Sequence, residues 1–147
     1  RFTVNMFQVT GTADASVRFT SDAPIVCERS MYWNGRAAGH ASIGSPGPDR
    51  RWHLAEGCTD YGFETWVLIV NTGDAQGVAT VVFSTDDGRC VTEKVALLSR
   101  ARVSVNAGDY VPGSSFSTSV SAGVPVVVER AMCWSGRGGG TGSIGAR

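Results

Sequence analysis

The first forty-odd residues of the chain, Arg1 to Gly44, return about a hundred positions later as Arg102 to Gly145. The match is densest over Pro24, Glu28, Arg29, Met31, Trp33, Gly35, Arg36, Gly39, Ser42, Ile43 and Gly44. These reappear as Pro125, Glu129, Arg130, Met132, Trp134, Gly136, Arg137, Gly140, Ser143, Ile144 and Gly145. Self-similarity at a fixed period marks stacked copies of one structural unit. The 147 residues therefore read as one complete unit, 51–147, and the back half of another, 1–45. Pro46 and Pro48 lie in the joint at 46–50, because proline cannot donate to a sheet ladder and stiffens a connection.

Alternating and β-branched runs set the fold class. Strands are expected near Phe2–Phe7, Ser16–Thr20, Ile25–Trp33, Trp52–Glu56, Thr65–Asn71, Val78–Ser84, Cys90–Leu97, Arg102–Asn106, Ser117–Ser121 and Val126–Trp134. Turn signals separate several of them, and Asp86-Asp87-Gly88-Arg89 reads as a hairpin turn. No window of helical length carries the 3.6-residue period with caps, so no helix longer than a turn or two is expected. About seven short strands per unit predict an all-β, immunoglobulin-like antiparallel sandwich.

Charge excludes one class of partner. Thirteen cations balance thirteen anions, so nothing favours capture of nucleic acid or anionic membrane. Lys94 is the sole lysine. The longest apolar runs, Trp66–Val70 and Val124–Val128, are strand-sized rather than membrane-spanning, so direct membrane insertion is not expected. The chain starts and ends with Arg and reads as a piece of something longer.

Four cysteines, Cys27, Cys58, Cys90 and Cys133, include no C-x-x-C pair. Their even number in a Gly/Thr/Val-rich β chain fits disulfides in an oxidising compartment, against four buried free thiols. Neither Cys27 nor Cys133 has a Cys in the other copy, where Val128 and Tyr32 stand.

The motif residues have two readings. Glu129 and Arg130 point to opposite faces of a strand, so each is expected to meet an opposite charge on a neighbouring strand. A motif present in every unit usually serves the fold that all units share, which favours fastening over binding. Trp33 and Trp134 precede Gly-Arg and a run of small residues, and either cap a core or form a sugar-stacking platform. Tyr32, Trp33, Trp52 and Trp134 are the candidate stacking residues. His40 and His53 lack a nucleophile motif beside them, so no triad is expected. Asp22 and Asp86-Asp87-Gly88 do not make a D-x-D-x-D calcium loop, and no metal or cofactor is expected.

Trp52-His53-Leu54-Ala55-Glu56-Gly57, Phe63-Glu64-Thr65-Trp66, Pro125 through Met132, Trp134 and Gly142-Ser143-Ile144-Gly145 resemble an uncharacterised tandem-repeat domain. That domain occurs in secreted and cell-surface proteins of high-GC Gram-positive bacteria and relatives. The resemblance implies extracellular β-sandwich modules in arrays and no catalytic residues. Cys58 and Cys133 depart from the Ser and Tyr-like residues it leads one to expect. The resulting expectation is a non-enzymatic structural or adhesive module of a surface protein, stalk or filament. Its partners would be adjacent units or copies of itself, joined head-to-tail by strand sharing. The alternatives are a module binding surface glycan and a non-catalytic domain of a secreted enzyme.

Overall fold

The computed structural model describes residues 1–11 and 14–147. Among the described residues are one short α-helix, α1 (Met6–Thr10), two single 3-10 turns at Asn34–Arg36 and Ala107–Asp109, and nine strands: β1 (Glu28–Trp33), β2 (Ala38–Ile43), β3 (Asp49–Cys58), β4 (Glu64–Asn71), β5 (Gly77–Thr85), β6 (Cys90–Leu97), β7 (Arg102–Asn106), β8 (Ser115–Trp134) and β9 (Gly139–Ile144). All pairings are antiparallel. Strands β3 to β9 form one seven-stranded sheet that curls into a half-barrel; β1 and β2 form a separate hairpin. The all-β expectation therefore holds.

The 20-residue β8 organises the sheet. Its first part pairs with β3 and β5, and its second part with β4 and β9. The change of partner falls at Ala122-Gly123-Val124-Pro125, between the last β5 pair at Ala122 and the first β4 pair at Val126. Pro125 has no N–H to offer a ladder, which suits a point where pairing lapses. Even-numbered residues stay on the concave side across this bend: Phe116, Thr118, Val120, Val126, Val128, Arg130 and Met132 are all buried. The sequence reading split this strand into two, at Ser117–Ser121 and Val126–Trp134. The Gly-Val-Pro interruption that suggested a break is a bend within continuous strand.

The core consists of Trp52, Leu54, Val67, Ile69, Val81 and Phe83 with the inward residues of β8. Phe83 stacks on Tyr110 and meets Phe116 edge-on, at centroid separations of 5.9 and 5.4 Å. Such aromatic contacts add roughly 1 kcal/mol each beyond the area they bury. Buried Asn71 ties two turns at the end of β4. Its amide donates to Ala75 O and Leu98 O at 2.8 and 3.0 Å and accepts from Gly73 N at 3.0 Å. The Asp86–Arg89 turn joins β5 to β6 with Gly88 at φ 87°, as its sequence predicts.

Two expected strands are missing at the start. Phe2–Asn5 is unpaired, Met6–Thr10 is helical, and Ser16–Thr20 forms no strand. Ile25–Cys27 likewise precedes β1 instead of belonging to it. A strand needs a neighbour to accept its backbone hydrogen bonds, and here none lies alongside. Strands β2 and β9 were not anticipated, because their Gly/Ala/Ser composition carries little β signal. The joint expected at 46–50 ends inside β3.

The four cysteines are separate thiols. Each faces something other than a cysteine: Cys58 is opposite Ser115, Cys90 opposite Ser84, Cys133 opposite Gly140, and Cys27 lies beside Gly44. The disulfide expectation for Cys27, Cys58, Cys90 and Cys133 is thus corrected by strand register, which keeps them on different strand pairs.

Candidate functional site

The two matching stretches that carry the motif fold alike. β1–β2 pairs from Glu28↔Ile43 to Trp33↔Ala38; β8–β9 pairs from Glu129↔Ile144 to Trp134↔Gly139. Both turns hold three successive residues at positive φ, Asn34, Gly35 and Arg36 at 52°, 62° and 72°, and Ser135, Gly136 and Arg137 at 52°, 59° and 65°. The likeness reaches further upstream at one point. The Asn5 side chain accepts from Phe7 N, and its counterpart Asn106 accepts from Gly108 N, each opening a short helical turn.

The first hairpin lies on the second. One face of β8–β9 carries Glu129, Ala131 and Cys133 beside Gly140, Gly142 and Ile144. Against it, β1–β2 presents Arg29, Trp33 and His40. A Cβ on Gly140 would come within 3.0 Å of the Trp33 ring, and one on Gly142 within 2.6 Å of His40 Cε1. The glycines of β9 are therefore the floor on which these rings rest. The Arg29 guanidinium pairs with the Glu129 carboxylate. Trp33 Nε1 and Asn34 Nδ2 both donate to the Arg137 carbonyl, the latter at 3.1 Å.

The opposite face of β8–β9 turns into the sheet. Arg130, 8% exposed, donates to the Glu56 carbonyl at 2.7 Å and to its carboxylate at 3.1 Å. Met132 is buried, and Trp134 packs on Phe63 with centroids 5.7 Å apart. Arg137 reaches Glu64 at 2.9 Å. Glu129 and Arg130 thus point apart and find partners on different elements, as strand alternation requires.

The contact between hairpins shifts the acidity of its members. Burial raises the Glu129 carboxyl, with Arg29 and Arg102 opposing. Burial and the Arg29 charge lower the His40 imidazole, whose two nitrogens have no hydrogen-bond partner. Burial and the Glu64 charge raise the Cys133 thiol.

The aromatic candidates do not form one platform. Trp52 is 1% exposed, and its Nε1 donates to Val126 O at 2.9 Å. It is a core residue, so its assignment as a stacking residue is corrected. Trp33 and Trp134 lie on opposite sides of the β8–β9 hairpin. Tyr32 alone among the four is largely exposed, its ring lying over Gly39 beside a shallow depression of about 320 Å³ that includes Ser30, Arg36 and Ala41. A second shallow depression, about 370 Å³, lies among Glu56, Cys58, Ser84, Asp86 and Ser115. Among the described residues no three His, Cys, Asp or Glu side chains converge as a metal set. Asp87 is engaged by the Thr85 hydroxyl and by Arg89. Of the charged motif residues, Glu28, Arg36 and Arg137 are exposed, Arg137 while paired with Glu64.

No family model and no curated protein matches the chain. Among solved structures, the chain is similar to the crystal structure of Thermotoga maritima 1070, with 20% identity and a TM-score of 0.60 over 69% of this chain and 96% of that one. It is also similar to the Anabaena sensory rhodopsin transducer, with 22% identity and a TM-score of 0.50 over 56% of this chain and 95% of that one. At such identities the likeness concerns fold alone: the curled sheet is an architecture that also occurs as nearly the whole of another chain.

Proposed function

We propose that this chain is a structural repeat module, made to join units rather than to carry out chemistry. On this reading the stretches 1–45 and 51–147 are the back half and the whole of one unit. The two flanks of β8 are the two layers of an immunoglobulin-like sandwich. The setting is the cell exterior, in a surface protein, stalk or filament, as the resemblance in sequence implies. Among the described residues no helix is long and apolar enough to cross a membrane.

One observation carries the reading. Several of the residues that recur are used for fastening: Arg130 on Glu56, Arg137 on Glu64, Arg29 on Glu129, and Trp33 on Gly140. Neither depression among the described residues is lined by these four together. A glycan array and a hydrolase substrate panel, run on the intact chain, are expected to be blank. Saturable glycan binding that disappears in Tyr32→Ala would instead favour a carbohydrate-binding module, since Tyr32 is the exposed aromatic beside a depression. Turnover of any substrate would end the non-catalytic reading.

A further inference from the structure

The first hairpin docks with the face that its counterpart keeps for its own core. Arg29, Met31 and Trp33 correspond to Arg130, Met132 and Trp134. The second set points inward, against Glu56, the β8 interior and Phe63. The first set points at the outer face of β8–β9, and Met31 is left 42% exposed where Met132 is 6%.

The same mismatch runs through the chain ahead of β1. Val4, Phe19 and Ile25 are 42%, 52% and 55% exposed, whereas their counterparts Val105, Val120 and Val126 are 5%, 2% and 0%. In the complete unit these positions are covered by β3 to β6: Arg102–Asn106 pairs with β4, and Val120 and Val126 lie between β3 and the β4–β5 side. Phe2–Asn5 and residues 16–25 therefore present apolar side chains outside any strand ladder, and their complement is visible elsewhere in the same molecule.

We propose that residues 1–11 and 14–43 carry a docking surface for a polypeptide front half of the β3–β6 kind. When it docks, the β1–β2 hairpin leaves β8–β9 and turns its Arg29, Met31 and Trp33 face into the newly closed core. The proposal rests on reading the matched stretches as copies of one unit. The partner is specified by chemistry: four antiparallel strands with an apolar concave face, and a glutamate placed as Glu56 is, to take Arg29 as Glu56 takes Arg130. One hairpin face cannot be in two places, so the two contacts exclude each other. The structure holds the undocked arrangement, in which β9's glycines accept the face meanwhile. A ligand that binds one of two states shifts the balance by its differential affinity, and covering this much apolar surface far outweighs one hairpin contact.

The test joins a second copy of residues 49–101 ahead of Arg1 of the full chain, so that a front half precedes the unmatched back half. Hydrogen exchange is read at Val4 and Phe19, and Arg29–Glu129 coupling by a double-mutant cycle. Expected are a slowing of exchange at both amides by about 100-fold or more and loss of the coupling. Phe19→Asp with Ile25→Asp should restore fast exchange in the extended chain while leaving the unextended chain's melting unchanged. Fast exchange at Val4 and Phe19 beside a protected β5–β6 pair would overturn the proposal, as would coupling that survives the extension. If the extended chain fails to fold, the 147-residue chain decides the matter by native mass. A concentration-dependent dimer with protected 1–27 amides makes a second whole copy the partner and overturns the proposal; a monomer with 1–27 unprotected supports it. Glycan binding by the intact chain would strike at the functional reading and leave these readouts standing.

Discussion

Arg29 pairs with Glu129, so the ion pair that crosses between the two hairpins joins the arginine of one motif copy to the glutamate of the other. Their direct counterparts do not repeat the pair: Arg130 goes to Glu56 and Glu28 stays in solvent. The same two residues therefore serve different contacts in the two copies.

Breaking this pair should loosen the docked hairpin. Arg29→Ala leaves a largely buried carboxylate without its cation and is expected to cost about 1–2 kcal/mol. Glu129→Gln should cost less, because it removes the charge that needs compensation. A double-mutant cycle by urea denaturation should give a coupling of about 1 kcal/mol. Zero coupling would mean that the hairpins do not dock through this pair.

The glycine floor offers a sharper probe. Gly142→Val places branched carbon where His40 lies, and the close approach leaves no room for it. The hairpin is expected to lift, so that a protease cuts the Gly44–Pro48 joint faster while β3–β8 amides keep their protection. Gly47→Ala, whose Cβ meets nothing within 4 Å, should leave cleavage unchanged.

Acidification should act through His40. Its imidazole is lowered from 6.5 by burial and by Arg29, so the unfolded chain takes up the proton first. The stabilising term is fully present above about pH 6.5 and is lost as pH falls through the lower folded value. Glu129 runs the other way: its raised carboxyl means that stability is recovered as pH falls toward the ordinary glutamate range. Melting temperature is therefore expected to drop from pH 7 toward pH 5.5 and to drop less in His40→Gln. Identical slopes in the two proteins would remove His40 from the account.

The thiols give a simple check. With no bridge to lose, a reductant should move the melting temperature by less than about 1 °C, where losing a disulfide would typically cost 2–4 kcal/mol. Titration of the denatured, unreduced chain should find four reactive thiols.

Two tryptophans should separate. Trp52→Ala empties a core site and is expected to cost about 3–5 kcal/mol. Trp134, half-buried against Phe63, is expected to cost about 2 kcal/mol. Equal losses would mean that Trp134 is as deeply packed as Trp52.

Strand content was legible where the sequence alternates. β4, β5, β6 and β7 lie close to where Val, Ile and Thr at every second position placed them. The opposed directions of Glu129 and Arg130 followed from the two-residue period of a strand, and both found partners on other elements. Three things were illegible, each for a physical reason. Pairing needs a partner, so Phe2–Phe7 carries a strand pattern and forms no strand. Glycine carries no β signal, so β9 became visible only through what rests on it. Cysteine separation depends on register, which four positions along a chain do not specify. The site itself was half legible: the motif named Arg29, Trp33 and Glu129, while His40 was set aside for want of a nucleophile motif beside it, and Thr141 stands at its place in the other copy. That difference was the available clue, since a residue peculiar to one copy serves a contact that the other does not make.

Strand β8 has a consequence for how the chain is made. It supplies hydrogen-bond partners to β3, β4, β5 and β9, yet it follows β3, β4 and β5 in the sequence and leaves the ribosome after them. Until about residue 134 has emerged, β3 and β4 are synthesised without the strand that unites them. Closure of the sheet is thus postponed until β8 has been made, and the nascent chain passes through a stage at which Val67, Ile69, Val81 and Phe83 have no cover. Truncation anywhere inside β8 should yield an aggregating product rather than a shortened fold.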